Sequence, residues 1–297
     1  MKSAPIPWTR RFSHGPCPCR SGNPAYNCCW RGNGRWEKLS VGIIDMKKTD
    51  SVHEKCYLSP TGNCGAKITR EHFISRNILE RIATSTLKFE NMGHFFGGKS
   101  SVEVGIDAFS AKVLCDAHNS ALSALDEEAG SAFSKVEDLG RDLILVNAAE
   151  KVVKSFYLSS GIDLERWMVK VYCGLVAAGK IRGIGGTVVR RDTIPLCFFE
   201  SLLGRSTLGS PLGLHMHSFV GQKRSVGGFT FATIQLTDGS DGVGGLMLSL
   251  GLMNLVLVTS PGFGQTFTEP TWYRHPTLLF NVRQNGCRVA YLFTYDK

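Results

Sequence analysis

The chain has 297 residues, of which 43% are hydrophobic, and a mean hydropathy of −0.03. These values exclude a disordered chain and allow about two ordered domains. The net charge is +9, and the whole excess lies in residues 1–100, which carry 16 Lys and Arg against 7 Asp and Glu; the remainder carries 18 of each. This asymmetry predicts salt-sensitive attraction of a polyanion such as DNA or RNA, the alternative being a merely basic surface.

The ten cysteines are clustered rather than spread along the chain. Four lie at 17–29 and three at 56–115, and residues 1–11 contain no apolar core of a secretory signal. Clustered cysteines without an export signal favour metal sites in a reducing compartment over disulfides. We therefore expect a cytoplasmic protein that binds zinc.

The first cysteine cluster lies in residues 1–36, in the stretch C-P-C-R-S-G-N-P-A-Y-N-C-C-W. Its thiols are Cys17, Cys19, Cys28 and Cys29. Four thiols form a closed tetrahedral zinc site, and the bound metal supplies the folding energy that so short a segment lacks. The spacing and the Ser-Gly turn resemble the SEC-C motif, a zinc-binding segment. The resemblance implies a knob that docks a protein or contacts nucleic acid, and a knuckle with a purely structural role is the alternative.

The second set of zinc-type ligands follows after a linker at 37–54. Cys56 and Cys64 form one pair, and Cys115 and His118 form another about fifty residues later. Thiolate and imidazole groups in two such pairs suit tetrahedral, structural zinc. Between the pairs stands Glu71-His72, just after a strand predicted at 66–69, and Asn119 follows the last ligand and opens a predicted helix.

This pattern resembles the HNH endonuclease family, whose core is the ββα-metal fold. By this resemblance, Cys56, Cys64, Cys115 and His118 bind structural zinc, and His72 is the general base. Asn119 and Glu71 correspond to oxygen ligands of a catalytic Mg²⁺ or Mn²⁺ ion. An imidazole takes a proton from water near neutral pH, and a hard cation neutralises charge on the scissile phosphate. The resemblance covers about a quarter of the chain.

The periodicity of the chain predicts an α+β fold with three parts: a zinc knuckle at 1–36, an HNH-like domain at 37–130 and a C-terminal α+β domain at 131–297. Helices are predicted at 73–87, 115–128, 143–159 and 163–178, the last with Asp163 as N-cap. Strands are predicted at 39–44, 66–69, 102–106, 187–189, 215–220, 229–236 and 254–259, followed by a hairpin of 278–283 and 288–294. The uncharged stretch 242–268 predicts a buried strand with flanking loops rather than a membrane span, because glycines interrupt it.

The predicted function is hydrolysis of phosphodiester bonds in nucleic acid, with DNA as the first choice. By analogy, such a nuclease fits bacterial defence. The alternative is a non-catalytic adaptor that binds nucleic acid or protein, in which zinc holds the scaffold and His72 is a packed residue. The conjunction of Glu71-His72 with Asn119 favours the enzyme, because an adaptor needs neither a base nor an oxygen ligand there. A protein partner can be expected at the knob or at the C-terminal domain.

Overall fold

The computed structural model describes residues 7–82, 86–90, 101–147, 154–183, 186–217, 229–236, 243–250, 253–261, 271–275, 277–280 and 288–295. Within these residues the chain is a mixed α+β structure, as predicted. The helices are α1 (Arg76–Ile82), α2 (Asp116–Asn147), α3 (Gly161–Ala177) and α4 (Leu196–Leu202). The strands are β1 (Ile68–His72), β2 (Thr86–Glu90), β3 (Ser101–Gly105), β4 (Ser110–Cys115), β5 (Lys154–Ser160), β6 (Gly213–His217), β7 (Phe229–Gln235), β8 (Val243–Leu250), β9 (Met253–Val258), β10 (Thr271–Tyr273), β11 (Thr277–Phe280) and β12 (Arg288–Thr294).

Helix α3 lies at the centre of the fold. Ser160 caps its start by accepting a hydrogen bond from the backbone N–H of Asp163 (3.1 Å). Residues 161–176 are all buried, because α2, α4 and strands of three sheets pack around the helix. The core that surrounds it is one cluster of apolar side chains extending from Ile44 to Phe293. The predicted boundary at 130/131 falls inside α2, so one helix spans both predicted domains.

Two sheets cover the C-terminal part of the described chain. One is antiparallel with the order β10-β6-β9-β8-β7, and β9 is buried at every position. The other has the order β11-β12-β5, in which β12 and β5 run parallel. In the described chain no helix has both the length and the apolar character needed to cross a bilayer. Within the uncharged stretch, β9 agrees with the predicted buried strand, but residues 243–250 form a second strand, β8, that was not predicted.

A small ββα arrangement positions the candidate site. Strands β1 and β4 pair antiparallel, with His72 opposite Ser110, and α2 begins directly after Cys115. A bulge between Thr69 and Arg70 shifts the register, and such bulges re-aim the side chains that follow them. Helix α1 and the β2–β3 pair lie in the connection between β1 and β4.

The N-terminal cysteine segment packs against the β5–β12 sheet of its own chain. Its buried side chains form a second cluster with Phe156, Leu158 and Leu292. Leu158 also donates its backbone N–H to Pro18 O (3.3 Å). The guanidinium of Arg20 bonds Ser134 and Asp138 on α2. The segment is therefore part of the folded body, and its predicted role as a contact for other molecules stays a prediction.

Several predicted elements are wrong in detail. The predicted strand 39–44 has no regular structure, because its backbone bonds separate elements: Val41 N–H donates to Asp163 and Ile44 N–H donates to Leu203 O. The predicted strand 102–106 corresponds to β3, which pairs with β2. The strand that pairs with β1 is β4, which the sequence did not predict. The predicted helix 143–159 is correct only for residues 143–147, the end of α2; residues 154–160 form β5 and pair with distant β12, and residues 148–153 lie outside the described residues. Asp163 lies inside α3, and the N-cap is Ser160.

Candidate functional site

The first cysteine group brings four sulfur atoms together as the sequence predicts. Cys17, Cys19, Cys28 and Cys29 place their sulfurs within 4.8 Å of one another, and Cys28 Sγ lies 3.5 Å from both Cys19 Sγ and Cys29 Sγ. At a zinc–sulfur distance of about 2.3 Å, tetrahedral ligands lie roughly 3.8 Å apart. Four thiols at this spacing fit zinc without rearrangement.

The second group joins β4, the start of α2 and the loop before β1. Its ligand atoms are the sulfurs of Cys56, Cys64 and Cys115 and the imidazole of His118, and they also lie within 4.8 Å of one another. His118 Nδ1 is 3.0, 3.5 and 3.8 Å from the sulfurs of Cys115, Cys56 and Cys64, respectively. All four residues are buried, so the set offers a closed site with the chemistry of structural zinc.

Neighbouring groups orient the ligands of this second site. His118 Nε2 lies 3.3 Å from Thr61 Oγ1, so the ring keeps Nδ1 towards the sulfurs. Gly65 donates its backbone N–H to Cys115 Sγ (3.2 Å), which stabilises a thiolate. The guanidinium of Arg191 bonds the carbonyl of Cys56 and, at 2.9 Å, Ser59 Oγ. An arginine far along the chain therefore fastens the ligand loop.

Burial sets the protonation of this group. Burial, aided by Arg205, lowers the pKa of His118 to about 4, so the imidazole is neutral at pH 7, as a metal ligand must be. Burial also raises the pKa of the Cys56 thiol to about 12. A zinc ion would supply the positive charge that converts these thiols into thiolates. Both groups thus fit zinc, with every ligand position supplied by the protein.

The predicted catalytic residues line one cleft beside the second metal group. The cleft has a volume of about 240 Å³, which is room for several water molecules. It is lined by Arg70, Glu71, His72, Ser75, Arg76, Asn77, Asn119 and Asp126. The structure therefore brings His72 and Asn119 to the same space, from the end of β1 and the first turn of α2.

His72 is half-buried at the rim of the cleft. Its Nε2 lies 3.4 Å from Asp107 Oδ1 without an aligned hydrogen bond. Burial lowers the pKa of His72, and Asp107 offsets part of that shift. The imidazole is consequently neutral at pH 7 and can accept a proton.

Asn119 ties the helix to the strand. Its amide Nδ2 donates to Thr69 Oγ1 (3.0 Å) and to Arg70 O (3.2 Å). This leaves Oδ1 as the acceptor that the side chain offers to the cleft.

Glu71 faces the interior rather than the solvent. Its carboxylate forms an ion pair with Lys170 Nζ of α3, and Lys170 also bonds both carboxylate oxygens of Asp126 at 2.8 Å. The Ser75 hydroxyl donates a hydrogen bond to Asp126 and accepts one from the indole N–H of Trp167 (2.7 Å). Burial raises the pKa of Glu71 to about 7, while Lys170 opposes the shift. For Lys170, burial disfavours the charge, but Glu71 and Asp126 outweigh it and raise its pKa.

The cleft does not offer the oxygen ligands that a catalytic Mg²⁺ or Mn²⁺ ion was expected to find. The carboxylates of Glu71 and Asp126 both hold the ammonium of Lys170. Among the described residues, the groups of His, Cys, Asp and Glu whose ligand atoms converge are the two cysteine-rich groups alone. Asn119 Oδ1 remains, but one neutral oxygen is not a divalent-ion site.

Sequence reasoning missed the residues that approach from distant segments. Lys170, Thr61, Asp107 and Arg191 all contact site residues, and only Thr61 and Asp107 lie within the predicted HNH-like region. Lys170 did carry a signal, because it is a charge in a helix whose other face is strongly apolar. No protein-family model matches the chain, and no curated protein or solved structure gives a significant match.

Proposed function

We propose that the protein hydrolyses phosphodiester bonds in nucleic acid, with DNA as the expected substrate. The observation that carries the proposal is the convergence of His72 and Asn119 on one cleft. The ββα arrangement of β1, β4 and α2 supports the HNH resemblance, as does a buried Cys₃His group at the start of α2.

His72 is the general base of the proposed reaction. Its neutral imidazole accepts a proton from water, and the resulting hydroxide oxygen attacks phosphorus. The bond from phosphorus to the leaving sugar oxygen breaks, and that oxygen takes a proton from solvent. Asp107, 3.4 Å from Nε2, stabilises the imidazolium that forms.

Two exposed arginines supply the positive charge at the mouth of the cleft. Arg70 follows the bulge in β1, and Arg76 begins α1. Guanidinium groups pair with phosphate oxygens in a planar, two-bond geometry. Asn119 positions the reacting water by accepting a hydrogen bond from it through Oδ1. Structural zinc in both cysteine groups would hold the strands, helix and loops that carry these residues.

The test is plasmid nicking by the wild type and by His72→Ala, in Mg²⁺, in Mn²⁺ and in EDTA. We expect the variant to lose at least about 100-fold in rate, the usual contribution of a general base. His14→Ala is the matched control, because His14 lies in the N-terminal segment away from the cleft. Zinc content and thermal stability of both variants should equal those of the wild type.

The pH dependence gives a second reading of the same role. Because burial lowers the pKa of His72, the rate should rise with pH and reach a plateau. The midpoint of the rise should lie below the ordinary imidazole pKa of about 6.5. Equal nicking by wild type and His72→Ala would refute the base. Tight DNA binding without cleavage by either would favour the adaptor.

A further inference from the structure

Lys170 is a buried ammonium behind the cleft, where it pairs with two of the carboxylates that line the cleft, those of Glu71 and Asp126. Its side chain is 1% exposed, and it approaches from α3, behind β1 and α2. The three charges belong to three separate elements: Glu71 to β1, Asp126 to α2 and Lys170 to α3. The cluster therefore fastens the site to the central helix.

The surrounding hydrogen bonds hold the ammonium in one place. Lys170 Nζ hydrogen-bonds both oxygens of Asp126 and forms an ion pair with the carboxylate of Glu71. Ser75 binds the same Asp126 carboxylate and is itself held by Trp167. A buried charge paired with two carboxylates is costly to displace, because its removal leaves their charges uncompensated.

A divalent ion cannot share this position with the ammonium. The two cations would lie within a few ångströms of each other in a water-poor site, where like charges repel strongly. We propose that Lys170 is the built-in cation of the cleft: its ammonium lies between Glu71 and Asp126, and it pairs with Glu71, which the HNH resemblance assigns, together with Asn119, to a catalytic metal ion. Glu71 is then a positioning residue that anchors the end of β1 beneath His72. The role assigned to the cleft rests on the proposed function, but the charge arrangement does not.

The test is a titration of the zinc-saturated protein with Mn²⁺ in the absence of nucleic acid. Electron paramagnetic resonance measures the bound Mn²⁺. Wild type and Glu71→Gln should bind Mn²⁺ identically, because Glu71 is not a ligand. Lys170→Met removes the ammonium and keeps the volume, so it should gain one Mn²⁺ per chain. Adding Glu71→Gln to Lys170→Met should abolish that gain.

Lys135→Met is the matched control. Lys135 is also fully buried, but its ammonium bonds the hydroxyls of Ser131 and Ser159 instead of carboxylates. This variant should gain no Mn²⁺. The proposal is overturned if wild type has a Mn²⁺ site that Glu71→Gln removes, or if folded Lys170→Met binds no more than wild type. If Lys170→Met does not fold, the comparison of Mn²⁺ binding by wild type and by Glu71→Gln tests the proposal by itself.

Neither result depends on catalysis. If nicking is absent or insensitive to His72→Ala, the proposed function fails while the Mn²⁺ titrations still decide the role of Lys170. If nicking depends on His72 and wild type binds Mn²⁺ through Glu71, the function stands and the built-in cation is wrong.

Discussion

Removing the side chain of Trp36 tests whether the N-terminal cysteine segment is part of the folded body. Trp36 is 1% exposed, and its ring centroid lies 4.9 Å from those of both Trp30 and Phe156 in edge-on contacts. Its indole N–H donates to Thr9 Oγ1 (2.7 Å). Trp36→Ala therefore deletes a large buried ring together with its hydrogen bond to Thr9.

A buried Trp→Ala change costs about 3–5 kcal/mol. The free energy of unfolding of a protein is typically about 5–15 kcal/mol, so the loss is a large share of the total. At roughly 2–4 °C per kcal/mol for a protein of this size, the melting temperature should fall by roughly 10 °C.

The assay is differential scanning calorimetry of the zinc-loaded protein. Tyr26→Ala is the matched control, since Tyr26 belongs to the same segment but is 54% exposed and should shift the melting temperature little. The expected result is one transition that moves down in Trp36→Ala alone. An unchanged main transition in that variant would mean that the segment is an independent knob and would refute the packing argument.

Two further predictions concern the second metal group and the mouth of the cleft. Cys115→Ser should lower the zinc content by one per chain and reduce thermal stability, because a buried ligand is lost; atomic absorption measures the metal, and unchanged zinc in a folded variant would contradict the assignment. Arg76→Ala should weaken DNA binding and reduce the slope of log affinity against log salt by about 1, as the loss of one phosphate contact does. Arg81→Ala on the same helix, outside the cleft lining, should bind like wild type in fluorescence anisotropy.

The two candidate zinc groups were predictable because most of their ligands lie close together in the sequence. Cys17 to Cys29 and the pair Cys115 and His118 are close in sequence, and thiols clustered without an export signal favour metal ligation. To complete the second group, the fold has only to bring Cys56 and Cys64 next to Cys115 and His118. The strand before His72 and the helix with Asn119 followed from short periodic patterns. The tertiary structure extends the strand to His72 and the helix from the predicted end at 128 to Asn147.

The rest depended on contacts between distant segments. Residues 154–160 read as helical, yet they pair in parallel with β12, more than 130 positions away, and that pairing decides their conformation. The sequence predicts a helix at 163–178, but packing on all sides buries every residue from 161 to 176, the charged ones included. Lys170 and Glu165 therefore pair with residues of distant segments, which the local pattern does not contain.

Helix α2 extends for 32 residues, about 48 Å at 1.5 Å per residue. It begins at the second cysteine group, passes the cleft and reaches Asp138, which bonds Arg20 of the N-terminal cysteine segment. A gene fragment ending at residue 130 would cut this helix and leave Lys170 behind. Transferring the cleft intact to another chain would therefore require α2 and α3 together with β1 and β4.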